Sequence, residues 1–206
     1  MEDMYAAVIH DVKNQLAELS LRLGERGDAQ REMLIAMSAA RQLSKMLLVH
    51  RQSAGALSVN ADSVDTSGFM AILAAEYREL FPRLQIWVDA TDAPAFAFFD
   101  DALVRMALAN AMHNACRHAA QKVELSARQQ DGMLVFEIAD DGPGFPLGVL
   151  AQGGLAPSDV SARGTGLGLY LAGKIAALHC LHGRCGHVDL ANAGGAGGAR
   201  FRMMLP

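Results

Sequence analysis

The first fifty residues carry apolar side chains at helical spacing and no strand-like alternation, and this limits the fold more than any other feature. Over residues 3–23, Tyr5, Val8, Ile9, Val12, Leu16, Leu19 and Leu23 recur at i, i+3, i+4 and i+7, the stripe of a helix that buries one face. Gly24-Glu25-Arg26-Gly27-Asp28 breaks the pattern, and Asp28 suits the cap of a following helix. A second stripe, Met33, Leu34, Met37, Ala40, Leu43, Met46 and Leu47, spans about 29–51. Two helices this long joined by a tight turn form an antiparallel hairpin. Such a pair has too little core of its own, so the stripes predict a second copy and a four-helix bundle formed by dimerisation.

Residues 53–63 are small and polar and read as a linker, which divides the chain into a helical hairpin at 1–55 and a second domain at 60–206. Helical and strand patterns alternate in the second part. Residues 69–80 are helical and 84–88 a strand; Asp100, after Ala95-Phe96-Ala97-Phe98, caps a helix running to about Ala119. Residues 122–128 and 133–139 are strands joined at Gln130-Asp131-Gly132. Residues 141–163 hold glycines and prolines without periodicity, long enough to suggest a functional lid. Gly164 opens a helix ending near His182, and strands at about 185–191 and 199–204 close the chain. The fold class is α+β: the hairpin followed by a two-layer α/β sandwich.

Composition narrows the function. A net charge of -4 gives no electrostatic footprint for nucleic acid or an anionic membrane. No apolar run approaches the roughly 20 residues of a membrane span. Cys116, Cys180 and Cys185 cannot all pair, and a chain with 51% hydrophobic residues can build a core without disulfides. A reducing, cytoplasmic setting is expected, with any stimulus relayed by a separate sensor protein or by further chain.

Three segments carry chemistry. Gly164-Thr165-Gly166-Leu167-Gly168-Leu169 lies where a loop becomes a helix, so backbone amides and the helix N-terminus can approach a phosphate. Asp140-Asp141-Gly142-Pro143-Gly144 follows a strand; a carboxylate there can accept from an exocyclic amine, although alone the segment reads as an Asp-Gly turn. On the helix after Asp100, Asn110 and Asn114 lie one turn apart, continued by Arg117 and His118. An amide oxygen suits Mg²⁺, and the flanking Leu108, Ala111, Met112 and Ala115 argue against a merely solvated face.

In this order, with a lid between the last two, these segments resemble the N, G1 and G2 boxes of the histidine kinase ATP-binding domain, of the GHKL (Bergerat) ATPase type. The likeness covers about 60–206 and includes the closing Phe201-Arg202-Met203-Met204-Leu205-Pro206. It implies ATP and Mg²⁺ as cofactors, with Asn114 as metal ligand and Asn110 beside it. It implies Asp140 at the adenine amine, Gly142 and Gly144 shaping the adenine pocket, and Arg117 and His118 replacing a phosphate-contacting Lys and an adenine-side aromatic. Gly164, Thr165, Gly166, Leu167 and Gly168 fall on the phosphate side.

Behind such a domain, Val8-Ile9-His10-Asp11-Val12-Lys13-Asn14-Gln15-Leu16 resembles the phosphoacceptor H box. An imidazole nitrogen is nucleophilic and a neighbouring carboxylate can take its proton. The resemblance assigns these roles to His10 and Asp11. Asn14 matches the position that orients a water for dephosphorylating the partner, and Gln15 matches that role in another subfamily; both stay open. A response-regulator receiver domain is the implied partner and a homodimer the implied assembly. Departures are a short hairpin and a lid with Leu155 and Val160 in place of a phenylalanine-rich box; Arg163 is the candidate for the γ-phosphate. His179, Cys180, His182, Cys185 and His187 crowd together, but their spacing fits no standard zinc motif. Two other readings share the architecture in part. A phosphotransfer adaptor with a degenerate nucleotide site is opposed by the intact Asn114, Asp140 and glycines. A serine kinase restraining a sigma factor is opposed by the first fifty residues.

Overall fold

Two aspartates start the longest helices in the structure, a computed structural model that describes residues 58–151, 167–193 and 198–206 together with Val12, Gln15, Leu16, Leu19 and Ala39. Asp65 caps α1 (Thr66–Leu80) by accepting from the Gly68 amide at 3.2 Å, which starts the helix three residues before the apolar pattern does. Asp100 caps α2 (Asp101–His118), as its position after the Phe-Ala-Phe run predicts, and accepts from the Leu103 amide at 3.0 Å. The chain divides into two compact units, Met1–Leu57 and Ser58–Pro206. In the first, Val12, Gln15, Leu16, Leu19 and Ala39 are helical; Gln15 is exposed, as are the apolar Val12 and Leu19. His10, Asp11 and Asn14 lie outside the described residues.

The second unit is a two-layer α/β sandwich. Its main sheet joins β2 (Gln85–Asp92), β4 (Lys122–Gln130), β5 (Met133–Asp140), β9 (Ala199–Leu205) and β8 (His187–Asn192), in the spatial order β2-β4-β5-β9-β8. Only β2 and β4 run parallel, because α2 carries the chain across between them; the other pairs are antiparallel. Asp131 and Gly132 both adopt positive φ, 52° and 74°, the geometry of a tight two-residue hairpin between β4 and β5. Alternation then sorts the faces. Val123, Leu125, Ala127, Phe136, Ile138, Phe201, Met203 and Leu205 are buried, and Leu125, Ile138 and Phe201 are register partners across three strands. Phe69, Met70 and Leu73 of α1, Val104, Leu108 and Met112 of α2, and Leu171 and Ile175 of α4 (Leu167–Leu178) cover that face. The other face carries a charged cluster: Glu137 meets Arg128 at 3.3 Å, Arg200 at 3.2 Å and Arg202 at 2.7 Å.

Four features depart from the sequence reading. A two-stranded sheet pairs β1 (Asp62–Asp65), whose first residues fall in the expected linker, with β3 (Phe96–Phe99). A five-residue helix, α3 (Leu147–Ala151), stands within the segment read as structureless. The helix expected to reach His182 stops at Leu178, because the chain turns back at once through β6 (Cys180–Leu181) and β7 (Arg184–Cys185). His182 and Gly183 make that turn at φ 49° and 80°. Finally, the expectation of no disulfide is corrected: Cys180 and Cys185 face each other in register and are bonded. That bond and the engagement of both His179 ring nitrogens take the chemistry of this cluster away from zinc.

Candidate functional site

The end of α2 and the end of β5 meet. Asp140 terminates β5, where its Oδ1 accepts from the Gly142 amide at 2.8 Å and, more weakly, from Ala199 at 3.4 Å. Its charge reaches α2: burial first, and then the Asp140 carboxylate, push the Cys116 thiol up to about 12. Gly142 is backed so tightly by the end of α2 that a Cβ there would lie 2.3 Å from the His118 carbonyl oxygen. Gly198 leaves the same kind of space on the other side, where a Cβ would lie 2.3 Å from the Asp140 carbonyl oxygen. These glycines let three backbones converge around one carboxylate.

Asp141, its neighbour, does different work. Its Oδ1 accepts from the amides of Ala120 at 2.8 Å, Gln121 at 3.0 Å and Lys122 at 3.0 Å, so it clamps the short connection from α2 to β4. Burial acts to raise its pKa, but the amides of Gln121, Lys122 and Ala120 outweigh that and hold the carboxyl below its ordinary value of 3.8. Asn192 is a second clamp: its Oδ1 accepts from the Phe145 amide at 2.7 Å and its Nδ2 donates to the Phe145 carbonyl at 3.0 Å. Gly144, at φ 83°, leaves no room for a Cβ against that amide group. Sequence reasoning passed over Asp141 and Asn192. Asp141 had a signal, a second carboxylate at a strand end, whereas nothing local marked Asn192.

On α2, Asn110 is buried, and its Nδ2 has no hydrogen-bond partner among the described residues. Asn114 is partly exposed one turn further on, and Arg117 and His118 are exposed at the helix end. α4 packs directly against α2, with Gly168 buried in its first turn. Of the remaining glycine-segment positions, Gly164, Thr165 and Gly166 lie outside the described residues, as do Leu155, Val160 and Arg163; Leu167 begins α4. The structure thus brings the end of α2, at Cys116 and the His118 carbonyl, to Asp140 and Gly142, sets Gly144 against Asn192, and places the start of α4 on a helix packed against α2.

A further buried link fixes the relation of these helices. His179, just past α4, accepts from the Asp100 amide through Nε2 at 3.1 Å. Its Nδ1 therefore carries the proton and donates to the Ile175 carbonyl at 2.8 Å. Asp100 in turn accepts from the Asn60 amide at 3.0 Å through its other oxygen.

Signal transduction histidine-protein kinase AfsQ2 of Streptomyces coelicolor is 33% identical over 129 residues, covering 58% of this chain and 23% of that protein. Sensor protein PhoQ of Escherichia coli is 28% identical over 178 residues, covering 81% of this chain and 36% of that protein. The chain therefore spans about a quarter to a third of the length of these curated relatives. Among solved structures, full-length ShkA in complex with AMPPNP aligns over 100% of this chain and 46% of its own, with a TM-score of 0.69 at 24% identity. The histidine kinase AdeS of Acinetobacter baumannii aligns over 94% of both chains, with a TM-score of 0.65 at 16% identity. Residues 99–206, which hold α2, both β5 carboxylates and α4, match the family described as histidine kinase-, DNA gyrase B-, and HSP90-like ATPase, and the chain belongs to that family.

Proposed function

We propose that the chain is an ATP-dependent protein-histidine kinase of a two-component system. It phosphorylates its own His10, passes the phosphoryl group to an aspartate of a response-regulator receiver domain, and also dephosphorylates that partner. The observation that carries the reading is the convergence of Asp140 with the end of α2, a carboxylate acceptor held at the helix that bears Asn110, Asn114, Arg117 and His118. An adenine amine donates to Asp140, whose own position is fixed by the Gly142 amide. The donor set fits the phosphates: the buried Nδ2 of Asn110 lacks an acceptor among the described residues, and Arg117 supplies positive charge at the helix end. Mg²⁺, which Asn114 would ligate, supplies charge neutralisation at the phosphates when bound with ATP. The glycines from Gly164 to Gly168 present backbone amides to the same side.

In the transfer itself, an imidazole nitrogen of His10 forms a bond to the γ-phosphorus as the bond from that phosphorus to the departing ADP oxygen breaks. Asp11 takes the proton that the ring loses. Asn14 or Gln15 then positions a water against the phospho-aspartate of the docked partner. Exposure of Val12 and Leu19 supports burial of that helix against a second copy, and hence a homodimer. Among the described residues no helix is long and apolar enough to cross a membrane.

The test is incubation of the full chain with Mg²⁺ and γ-labelled ATP. The expected product carries acid-labile, base-stable label at His10, absent from His10→Gln although that variant still binds ATP. Asp140→Asn should bind ATP about 10- to 100-fold more weakly, the loss expected for one hydrogen bond to a charged acceptor. A chain that binds nucleotide yet never labels His10 would refute the kinase reading.

A further inference from the structure

Residues 180–185 are all exposed and form the β6–β7 hairpin, whose only covalent closure is the Cys180–Cys185 bond. The two strands have two residues each, far too short to hold together by backbone pairing alone. Three contacts tie this small hairpin to the domain. Arg184 donates from Nη1 to the Asp131 carbonyl at 3.1 Å, reaching the β4–β5 turn. The Gly186 amide donates to the His179 carbonyl at 2.8 Å, directly behind the hairpin. Gly186 itself is wedged so that a Cβ would lie 2.6 Å from the carbonyl oxygens of Ala176 and Met204. The hairpin therefore abuts the residue, His179, that joins the end of α4 to the start of α2.

The third cysteine cannot compete for exchange. Cys116 is buried in α2, and its thiol is held in the protonated, unreactive form. Cys180 and Cys185, by contrast, are open to solvent, and His182, Arg184 and His187 stand within the same few residues. That exposure leaves the bonded pair accessible to attack by a small thiol.

We propose that Cys180 and Cys185 form a reversible thiol–disulfide exchange site that takes small disulfides such as oxidised glutathione, and that its state sets the order of the hairpin behind α4. In the oxidising direction one cysteine thiolate attacks the small disulfide, forming a mixed disulfide and releasing one glutathione thiolate. The second cysteine thiolate attacks the protein sulfur of that mixed disulfide and releases the second glutathione. Two electrons pass from the cysteine pair to the small disulfide, and the two cysteine protons end on the released thiols. Opened again by reduced glutathione, the hairpin loses its closure, and the supports from Arg184 and Gly186 loosen with it. Because α4 begins at the glycine segment, this loosening weakens nucleotide binding; that last step rests on the kinase reading above.

The experiment equilibrates the full chain in glutathione buffers of graded redox poise, quenches with acid, and alkylates before and after unfolding. Mass spectrometry should show Cys180 and Cys185 modified together or not at all, in one two-electron transition, with Cys116 modified only after unfolding. Modification of one cysteine of the pair in oxidised protein, or a bond that opens only on unfolding, would overturn the exchange site. A fluorescent ATP analogue is then titrated into both forms: reduction should weaken binding about five-fold or more. The double variant Cys180→Ser with Cys185→Ser should match the reduced chain and ignore the buffer. Equal affinity of the two forms would overturn the coupling to α4. An oxidised chain that binds no nucleotide at all would sink the kinase reading and leave the exchange site standing on its alkylation pattern.

Discussion

Asp140 and Asp141 are adjacent carboxylates whose surroundings assign them opposite consequences, and conversion of each to alanine separates them. Loss of the Asp141 side chain leaves the amides of Ala120, Gln121 and Lys122 without their acceptor. These amides are at the surface, so water replaces part of what is lost, and the cost resembles that of removing a helix cap, about 1–2 kcal/mol. For a unit of this size that corresponds to a fall in Tm of about 2–8 °C, read by circular dichroism or calorimetry. The pH dependence has a fixed sign. A carboxyl whose folded pKa lies below its unfolded value stabilises the fold above the unfolded value and loses that effect as pH falls through the folded one. The Asp141 contribution should therefore be complete above about pH 4 and fade below the ordinary carboxyl value of 3.8, so wild type and Asp141→Ala converge in acid. Asp140→Ala should instead leave Tm within about 1 °C, since its main partner is the single Gly142 amide, while abolishing the gain in Tm on adding ATP. An Asp141→Ala variant with wild-type Tm at neutral pH, or an undiminished gap at pH 3, would refute this account of the clamp.

Two further outcomes follow from the same contacts. His179→Ala removes a buried acceptor from the Asp100 amide and should cost about 2–4 kcal/mol; His179→Gln, which can return an acceptor near the Nε2 position, should recover part of the loss in a denaturant titration. Gly142→Ala forces a methyl group toward the His118 carbonyl, and it should lower both Tm and nucleotide affinity, checked by thermal melting and calorimetric titration.

Much of the second unit was legible because its signals are local. The Asp100 cap with an apolar-periodic run after it, and the Asp131-Gly132 turn between alternating segments, each lie within one short stretch, and the structure reproduces both. The pairing of β1 with β3 was not legible: Asp62-Ser63-Val64-Asp65 has neither β-rich composition nor alternation, and its partner is brought to it by the whole of α1 and β2. The hairpin at 180–185 was missed for a related reason. Its residues sit where an apolar helix pattern is running out, and the register that opposes the two cysteines depends on a turn with both central residues at positive φ, one of them His182. At the site, residue types announced the Asn110 and Asn114 face and the Asp140 strand end. They could not say which of two neighbouring carboxylates turns inward to the Gly142 amide and which folds back on the α2–β4 connection. The partners in both cases are backbone amides, which carry no side-chain signature.

The position of β9 has a consequence for how the domain is made. Synthesis delivers β2, β4 and β5 first, yet β5 does not complete its pairing until the 199–205 segment arrives, since that segment lies between β5 and β8. A nascent chain on the ribosome therefore presents the free edge of β5, the backbone groups of Leu134 to Ala139 that later pair with β9, for as long as translation of the following sixty or so residues takes. At a typical 5–20 residues per second that interval is several seconds, long enough for an unpaired edge to find another chain or a chaperone. Yield in the cell should thus respond to chaperone supply more than the stability of the finished fold would suggest.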